Sequence, residues 1–233
     1  MRVLAVGAHP DDIEILCAGT LARFVQEGHE VVMAHASVGD KGHGEIAHHE
    51  VGQLRQSEAR EAAKVIGARS ETLGFRDGEI AVNDENMRRV VDLIRHVAPD
   101  LIITHHFDDY HGDHNAITRL VVDGSFLATL PYFITSLPAH PTACPIYFMD
   151  TLAGIGFEPS EYVDISETIP LKKAAMEKHQ SQITWLRDHH SSNILELIDT
   201  IAAFRGLQCG VRYAEGFQSF RAWGRLSTRR LLP

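Results

Sequence analysis

The chain of 233 residues sets 22 lysines and arginines against 31 aspartates and glutamates, a formal net charge of -9, and 44% of it is hydrophobic. An acidic chain without a Lys/Arg block lacks the electrostatic footprint of a nucleic-acid or anionic-membrane binder. Its apolar content suffices for a full core, and no uninterrupted apolar run reaches ~18 residues, so neither structural staples nor membrane insertion is expected.

Taken in order, the chain opens on the apolar run Val3-Leu4-Ala5-Val6, read as a buried strand, followed at once by Gly7-Ala8-His9-Pro10-Asp11-Asp12-Ile13-Glu14. Acidic residues so early leave no room for a signal peptide, which predicts a cytoplasmic protein. Apolar positions at helical spacing from Ala18 to Val25, closed by Gly28, are followed by a second strand at Val31-Val32-Met33-Ala34. This is the strand, loop, helix, strand grammar of a parallel sheet.

A glycine-rich loop from Ser37 to Gly44 leads into His43-Gly44-Glu45-Ile46-Ala47-His48-His49-Glu50, read as an exposed loop and helix start in preference to a second metal site. The composition predicts an amphipathic helix from Gln53 to Gly67. On it, Arg55 either clamps a substrate oxygen or pairs with a neighbouring glutamate, and spacing favours the pair. Thr72-Leu73-Gly74-Phe75 reads as a short strand ending in the turn Arg76-Asp77-Gly78. Asp77 is there either a site residue or an ordinary turn aspartate.

A helix is expected from Asn83 to Val97, then the most apolar strand, Leu101-Ile102-Ile103-Thr104, then the cluster His105-His106-Phe107-Asp108-Asp109-Tyr110-His111-Gly112-Asp113-His114 at the start of a helix running to Leu127. The Pro- and aromatic-rich segment Leu130 to Pro145 reads as a long loop able to roof a pocket. Strands are expected at Ile146 to Met149 and Tyr162 to Ile165. Helices are expected at Ser166 to Gln182 and Asn193 to Phe204, with His189 and His190 as surface histidines between them. Cys17, Cys144 and Cys209 have no Cys-x-x-Cys spacing and are expected to be core thiols.

Open α/β sheets place their sites beyond the carboxyl ends of their strands. Two strands that each end in His plus Asp supply the two-His-one-carboxylate set of a catalytic Zn²⁺ site. The candidate ligands are His9, Asp12 and His114. Asp11 is then available as general base, His111 as electrophile or acid, and Asp113 to orient and charge-stabilise His111. No Walker A, Gly-x-Gly-x-x-Gly, Gly-x-Ser-x-Gly or His-Glu-x-x-His pattern offers another chemistry.

The run Ala8-His9-Pro10-Asp11-Asp12 with Glu14, then Gly19-Thr20-Leu21-Ala22 and His111-Gly112-Asp113-His114, resembles the LmbE-like or PIG-L family of zinc-dependent sugar N-deacetylases. Weaker echoes at Arg55-x-x-Glu58-Ala59, Phe75 to Gly78, Lys178-His179-Gln180-Ser181-Gln182 and Tyr213 to Phe217 extend the likeness over most of the chain. One departure is Ile13, which separates the Asp pair from Glu14 where many relatives have Glu directly after it.

The resemblance implies one domain over 1–233, a three-layer Rossmann-like α/β fold with a mostly parallel sheet, and Zn²⁺, with Fe²⁺ or Co²⁺ as alternatives. It implies hydrolysis of the acetamide of an N-acetylglucosamine conjugate, a small-molecule amino sugar partner and assembly as a homo-oligomer. By position, His9, Asp12 and His114 match the metal ligands, Asp11 the base, His111 with Asp113 the oxyanion-stabilising pair, and Arg55 and Asp77 positions that face the sugar. Two other readings stand beside it: a metal-dependent hydratase or lyase, and a non-catalytic metal-binding protein.

Overall fold

The computed structural model describes residues 1–44, 46–190 and 193–233. Period-two patterning in the first apolar run decides the architecture. Along β1 (Arg2–Gly7), Val3 and Ala5 enter one hydrophobic core while Leu4 and Val6 enter a second. A strand buried on both faces needs a helical layer on each. The first core is closed by α1 (Asp12–Leu16), α2 (Ala18–Gln26), α3 (His48–Ile66), α6 (Ile169–Met176) and α8 (Ile194–Cys209), and the second by α4 (Asp84–Val97) and α5 (Gly112–Leu127). The result is the expected three-layer α/β arrangement.

The sheet is completed by β2 (Glu30–Ser37), β3 (Arg69–Phe75), β4 (Leu101–Thr104), β5 (Ile146–Met149), β6 (Glu161–Asp164) and β7 (Ala214–Ser219), in the order β3-β2-β1-β4-β5-β7-β6. β1 to β5 pair in parallel, and β7 lies antiparallel between β5 and β6. From β1 the chain winds outward through β2 to β3, then returns to lay β4 on the other side of β1. That reversal opens a crevice at the carboxyl ends of the strands. Val6 lies opposite Thr104, so the loops after β1 and β4 leave the sheet at the same level.

Three local expectations change. β7, Ala-Glu-Gly-Phe-Gln-Ser, lacks the β-branched alternation that announces a strand. The stretch expected as one helix from Ser166 to Gln182 is two, α6 and α7 (Gln180–His190), interrupted where His179 turns inward onto Glu14. α7 therefore runs through His189, which is exposed and stacks on Trp185; the side chain of His190 lies outside the described residues. Cys17 and Cys144 are buried as expected, but Cys209 at the end of α8 is exposed.

α8 turns into β7 through a close approach at Gly206, where an added Cβ would fall 2.6 Å from the Val211 carbonyl oxygen. Backbone cannot yield as a flexible side chain can. Gly206→Ala is expected to cost about 1–3 kcal/mol, read as a lower denaturation midpoint with an unchanged m-value. Among the described residues, no helix is long and apolar enough to cross a membrane.

Candidate metal centre and active site

The loop after β1 is folded back on itself. A Cβ on Gly7 would lie 3.0 Å from Ile13 Cγ1 and 3.1 Å from Asp12 Cβ, so glycine is what lets α1 begin so close to the strand. The Asp12 carboxylate accepts from the His9 amide at 2.7 Å, and the Asp11 carbonyl accepts from the Ile15 amide at 2.9 Å. Between them Asp11 is held at φ 126°, ψ -25°. A non-glycine residue there stores roughly 1–3 kcal/mol of backbone strain, and such strain gathers at functional sites.

The loop after β4 ends in a cap. His111 is the N-cap of α5, its Nδ1 accepting from the Asp113 amide at 3.2 Å, which places Asp113 and His114 in the first turn facing His9. The His9 ring centroid is 4.7 Å from that of His111 and 5.3 Å from that of His114.

Asp12 sits at the centre of this group. One carboxylate oxygen lies 3.3 Å from His9 Nδ1 and the other 3.4 Å from His114 Nε2. The remaining nitrogen of each imidazole faces a further carboxylate. His9 Nε2 is 3.1 Å from Asp113 and 3.3 Å from Asp77, and His114 Nδ1 is 3.0 Å from Asp109. An outer carboxylate that takes the ring N–H leaves the inner nitrogen with its lone pair, the arrangement that orients metal-ligating histidines. His9, Asp12 and His114 thus suit a divalent cation by their donor chemistry, although the sets whose donor atoms already lie together include His9, His111 and His114 and Asp12, His105 and His114, both of which contain His114.

Charges follow from the same geometry. Burial disfavours protonation of His9, but Asp12, Asp113 and Asp77 more than reverse this and raise it to about 12. His114 is raised to about 9 against burial by Asp12 and Asp109. The Asp12 carboxyl is held well below the usual carboxylate range, burial being outweighed by His114, His105 and His9. Burial pushes the Asp11 carboxyl up to about 6, with Arg55 working against the rise and Asp12 adding to it. His111 is lowered by burial and by the two neighbouring imidazoles, so it favours the neutral form.

His105 had no assigned role in the sequence reading, yet it is fully buried under the centre. Its ring stacks on His114 at 3.9 Å, and Nε2 lies 3.2 Å from Asp12. That nitrogen accepts from the Ala8 amide at 3.0 Å, so its lone pair is engaged and it supports the centre without joining it. Burial and the nearby His114 lower it to about 4, keeping it neutral. Its position, the first residue after the central strand, was the available signal.

Beneath α1, Glu14 is fully buried between His179 Nε2 at 3.1 Å and His35 Nε2 at 3.4 Å. Burial disfavours its charge, but the two histidines outweigh this and hold the carboxyl well below the usual range. Glu58 of α3 accepts from the backbone amide and hydroxyl of Ser181, which ties the start of α7 to the same region.

Three expectations are corrected. The Asp113 carboxylate does not reach His111; besides His9 it accepts from the amides of Gly78 at 2.7 Å and Ile80 at 3.3 Å, because the helix start turns it toward the β3 loop. Arg55 is not in a helix-surface pair. It is buried, donates to the carbonyls of Pro10 at 2.7 Å and Gly39 at 3.3 Å, and stands 3.5 Å from Asp11. The loop from Leu130 to Pro145 contributes no residue to the lining of the site's cavity, because Arg95 holds it at the far end of α5 through Ala128, Leu130, Thr135 and Leu137.

His9, Asp11, Asp12, Arg55, Asp77, His111 and His114 all line one cavity of about 600 Å³; Asp113 stands behind His9. The exposed stretch around His43 contributes Gly42 to that cavity, and His48 contacts the Asp40 carbonyl at 2.8 Å. Glu45 lies outside the described residues. Among those described, no group of metal-competent side chains forms in this stretch.

Comparison with known proteins bears on the family and the fold. Residues 4–124 match the family model PIG-L, GlcNAc-PI de-N-acetylase. The chain is 28% identical to diacetylchitobiose deacetylase of Thermococcus kodakarensis, over 93% of this chain and 82% of that protein. It is 24% identical to 4-oxalmesaconate hydratase of Pseudomonas putida, over 93% of this chain and 88% of that protein. The crystal structure of N,N'-diacetylchitobiose deacetylase from Pyrococcus horikoshii superposes with a TM-score of 0.83 at 26% identity, covering 94% of this chain and 83% of that one. With the family model spanning more than half of its length, the chain belongs to the PIG-L, or LmbE-like, family.

Proposed function

We propose that this chain, acting as one domain over 1–233, removes the acetyl group from an N-acetylglucosamine-type sugar conjugate with the help of one divalent cation held by His9, Asp12 and His114. Zn²⁺ is the first candidate, and Fe²⁺ or Co²⁺ suit the same nitrogen and carboxylate donors. The observation that carries the reading is the convergence at Asp12 of two imidazoles whose outer nitrogens each face another carboxylate within 3.1 Å. When bound, the cation supplies Lewis acidity to the acetyl carbonyl and makes the attacking water more acidic.

The side chains supply the rest. Asp11, ionised above about pH 6, takes a proton from the attacking water as its oxygen bonds to the amide carbon. Negative charge develops on the carbonyl oxygen, and His111 meets it. Because His111 Nδ1 accepts from the Asp113 amide, the neutral ring carries its proton on Nε2 and donates from there. The C–N bond then breaks, the proton held by Asp11 passes to the leaving amine, and acetate and free amine result. Arg55 and Asp77 face the cavity as partners for sugar hydroxyls, while Asp113 positions His9.

Metal content and amine release should be measured together on an N-acetylglucosamine panel. Wild type is expected to hold metal and release amine, Asp11→Asn to keep metal without turnover, and His114→Ala to lose both. The hydratase relative covers nearly the whole chain, so the second reading is tested in parallel by loss of enoate absorbance. Metal-loaded wild type that releases no amine but consumes an enoate would replace the deacetylase reading.

A further inference from the structure

The cavity is two-sided in its chemistry. The charged groups just described come mainly from the loops after β1, β3 and β4, with Arg55 on α3. The apolar lining comes from the helices: Ile15 and Leu16 of α1, Trp185 and Leu186 of α7, and Ile194 and Leu197 of α8. Five of the six, Ile15, Leu16, Leu186, Ile194 and Leu197, also pack into the core behind them, so this wall is the open face of a fixed apolar surface. It begins within one helical turn of Asp12, too close for a substrate held at the metal centre to avoid it.

Polar rim residues, Asn193, Glu196 and Thr200, lie on the same helix start as Ile194 and Leu197. Facing the leucines themselves, a second sugar would leave hydroxyls against carbon, an unmade hydrogen bond for each one desolvated. We propose that the substrate carries an apolar substituent, which packs against the wall of the cavity formed by Ile15, Leu16, Leu186, Ile194 and Leu197. This rests on the deacetylase reading for the charged groups and extends it to the substrate class: an N-acyl amino sugar bearing a hydrocarbon or aryl group of about a leucine side chain or larger. The group can be the aglycone or the acyl chain, and the shared chemistry is burial of carbon.

Two series separate the sources. Along the first the aglycone changes: N-acetylglucosamine, N,N'-diacetylchitobiose, and the phenyl and octyl β-glycosides of N-acetylglucosamine. Along the second the acyl group lengthens on free glucosamine from acetyl to butyryl to octanoyl. Burying one leucine-sized group is expected to raise kcat/KM by about tenfold or more over the acetyl monosaccharide, and chitobiose should show no such gain. A gain in the first series assigns the apolar wall to the aglycone, and a gain in the second to the acyl chain.

Leu197→Asn should shrink about tenfold the kcat/KM ratio of whichever series shows the gain, octyl glycoside over chitobiose or octanoyl over acetyl, while Leu197→Met should preserve it. A ratio taken within one variant is unaffected by loss of folded or metal-loaded enzyme. No gain in either series, or a ratio indifferent to Leu197→Asn, would overturn the proposal. Should no compound release amine, the deacetylase reading fails, and the subsite is judged by calorimetric binding of octyl β-glucoside below its micelle concentration. Binding weakened by Leu197→Asn then supports the subsite, and absence of binding rejects it.

Discussion

Asp11→Asn is expected to lower turnover by about 10²–10⁴-fold, the contribution of a positioned general base, and in the same molecule to raise stability at neutral pH. Both effects have one origin. The Asp11 carboxyl is buried, and its pKa rises from 3.8 to about 6 despite the guanidinium of Arg55. A group whose folded pKa exceeds its unfolded one stabilises only while protonated. Its contribution is present below pH 3.8 and is lost as pH rises through about 6. Asparagine mimics the protonated carboxyl, so the variant should gain about 1–3 kcal/mol at pH 8 and nothing at pH 4, at 1.36 kcal/mol per unit.

Chelator-treated protein is the right sample for this comparison, since a cation beside Asp11 would itself favour the carboxylate. The backbone at φ 126° is the same in Asn as in Asp, so the Asn gain isolates the charge. Asp11→Gly removes strain as well. A midpoint for Asp11→Asn equal to wild type at pH 8, with activity lost, would show that burial of this carboxylate is not what the fold sacrifices for reactivity.

Glu14→Ala should be the most damaging substitution near the site, costing about 3–5 kcal/mol, as when one partner of a buried ion pair is removed. Both oxygens of Glu14 face imidazoles at positions closed to water. The pH dependence carries its own sign. The depressed folded pKa of Glu14 gives stability that is present above 4.5 and is lost as pH falls. His179, opposed by burial but raised by Glu14, gives stability that is present below 6.5 and is lost as pH rises through its folded value.

The difference between wild type and Glu14→Ala should therefore be widest from about pH 4.5 to 6.5. It should narrow on both sides in urea melts at fixed temperature. Glu14→Gln keeps the volume and removes the charge, so it separates cavity from ion pair. A difference that fails to narrow below about pH 4.5 and above about 6.5 would mean that Glu14 and His179 are packed as neutral side chains. Because Glu14 lies two residues beyond Asp12, metal affinity should fall with stability.

The gathering of His9, Asp12, His111 and His114 was legible because it depends on short-range facts. A strand end, His9 and Asp12 three apart, and His111 with His114 three apart at a helix start follow from spacing alone, and sheet topology then brings the two strands together. What escaped depends on contacts across long stretches of chain. Arg55 looks like any helix-surface arginine until α3 packs under the first loop and buries it 45 residues from Pro10. Asp113 lies beside His111 in sequence, so it was paired with it, but the turn into α5 sends its carboxylate 104 residues back to His9. The loop from Leu130 to Pro145 has the composition of a lid and is tethered by an arginine that spacing gives no reason to notice.

The place of β7 bears on how the molecule is made. The last strand of the chain does not finish an edge; it enters between β5 and β6, and β6 pairs with it alone. Glu215 on that strand accepts from the amides of Gly19 and Thr20 at 3.0 and 2.7 Å, across 196 and 195 residues, at the helix that follows the metal loop. A ribosome releasing this chain exposes the loop from His9 to Asp12 early, yet the helix behind it keeps bare amides until residue 215 emerges. Assembly of the sheet therefore waits on a pairing between residues far apart in the chain, the slow regime of distant pairings. Nascent chains cut short of β7 would carry His9, Asp12 and His114 on a sheet that cannot close.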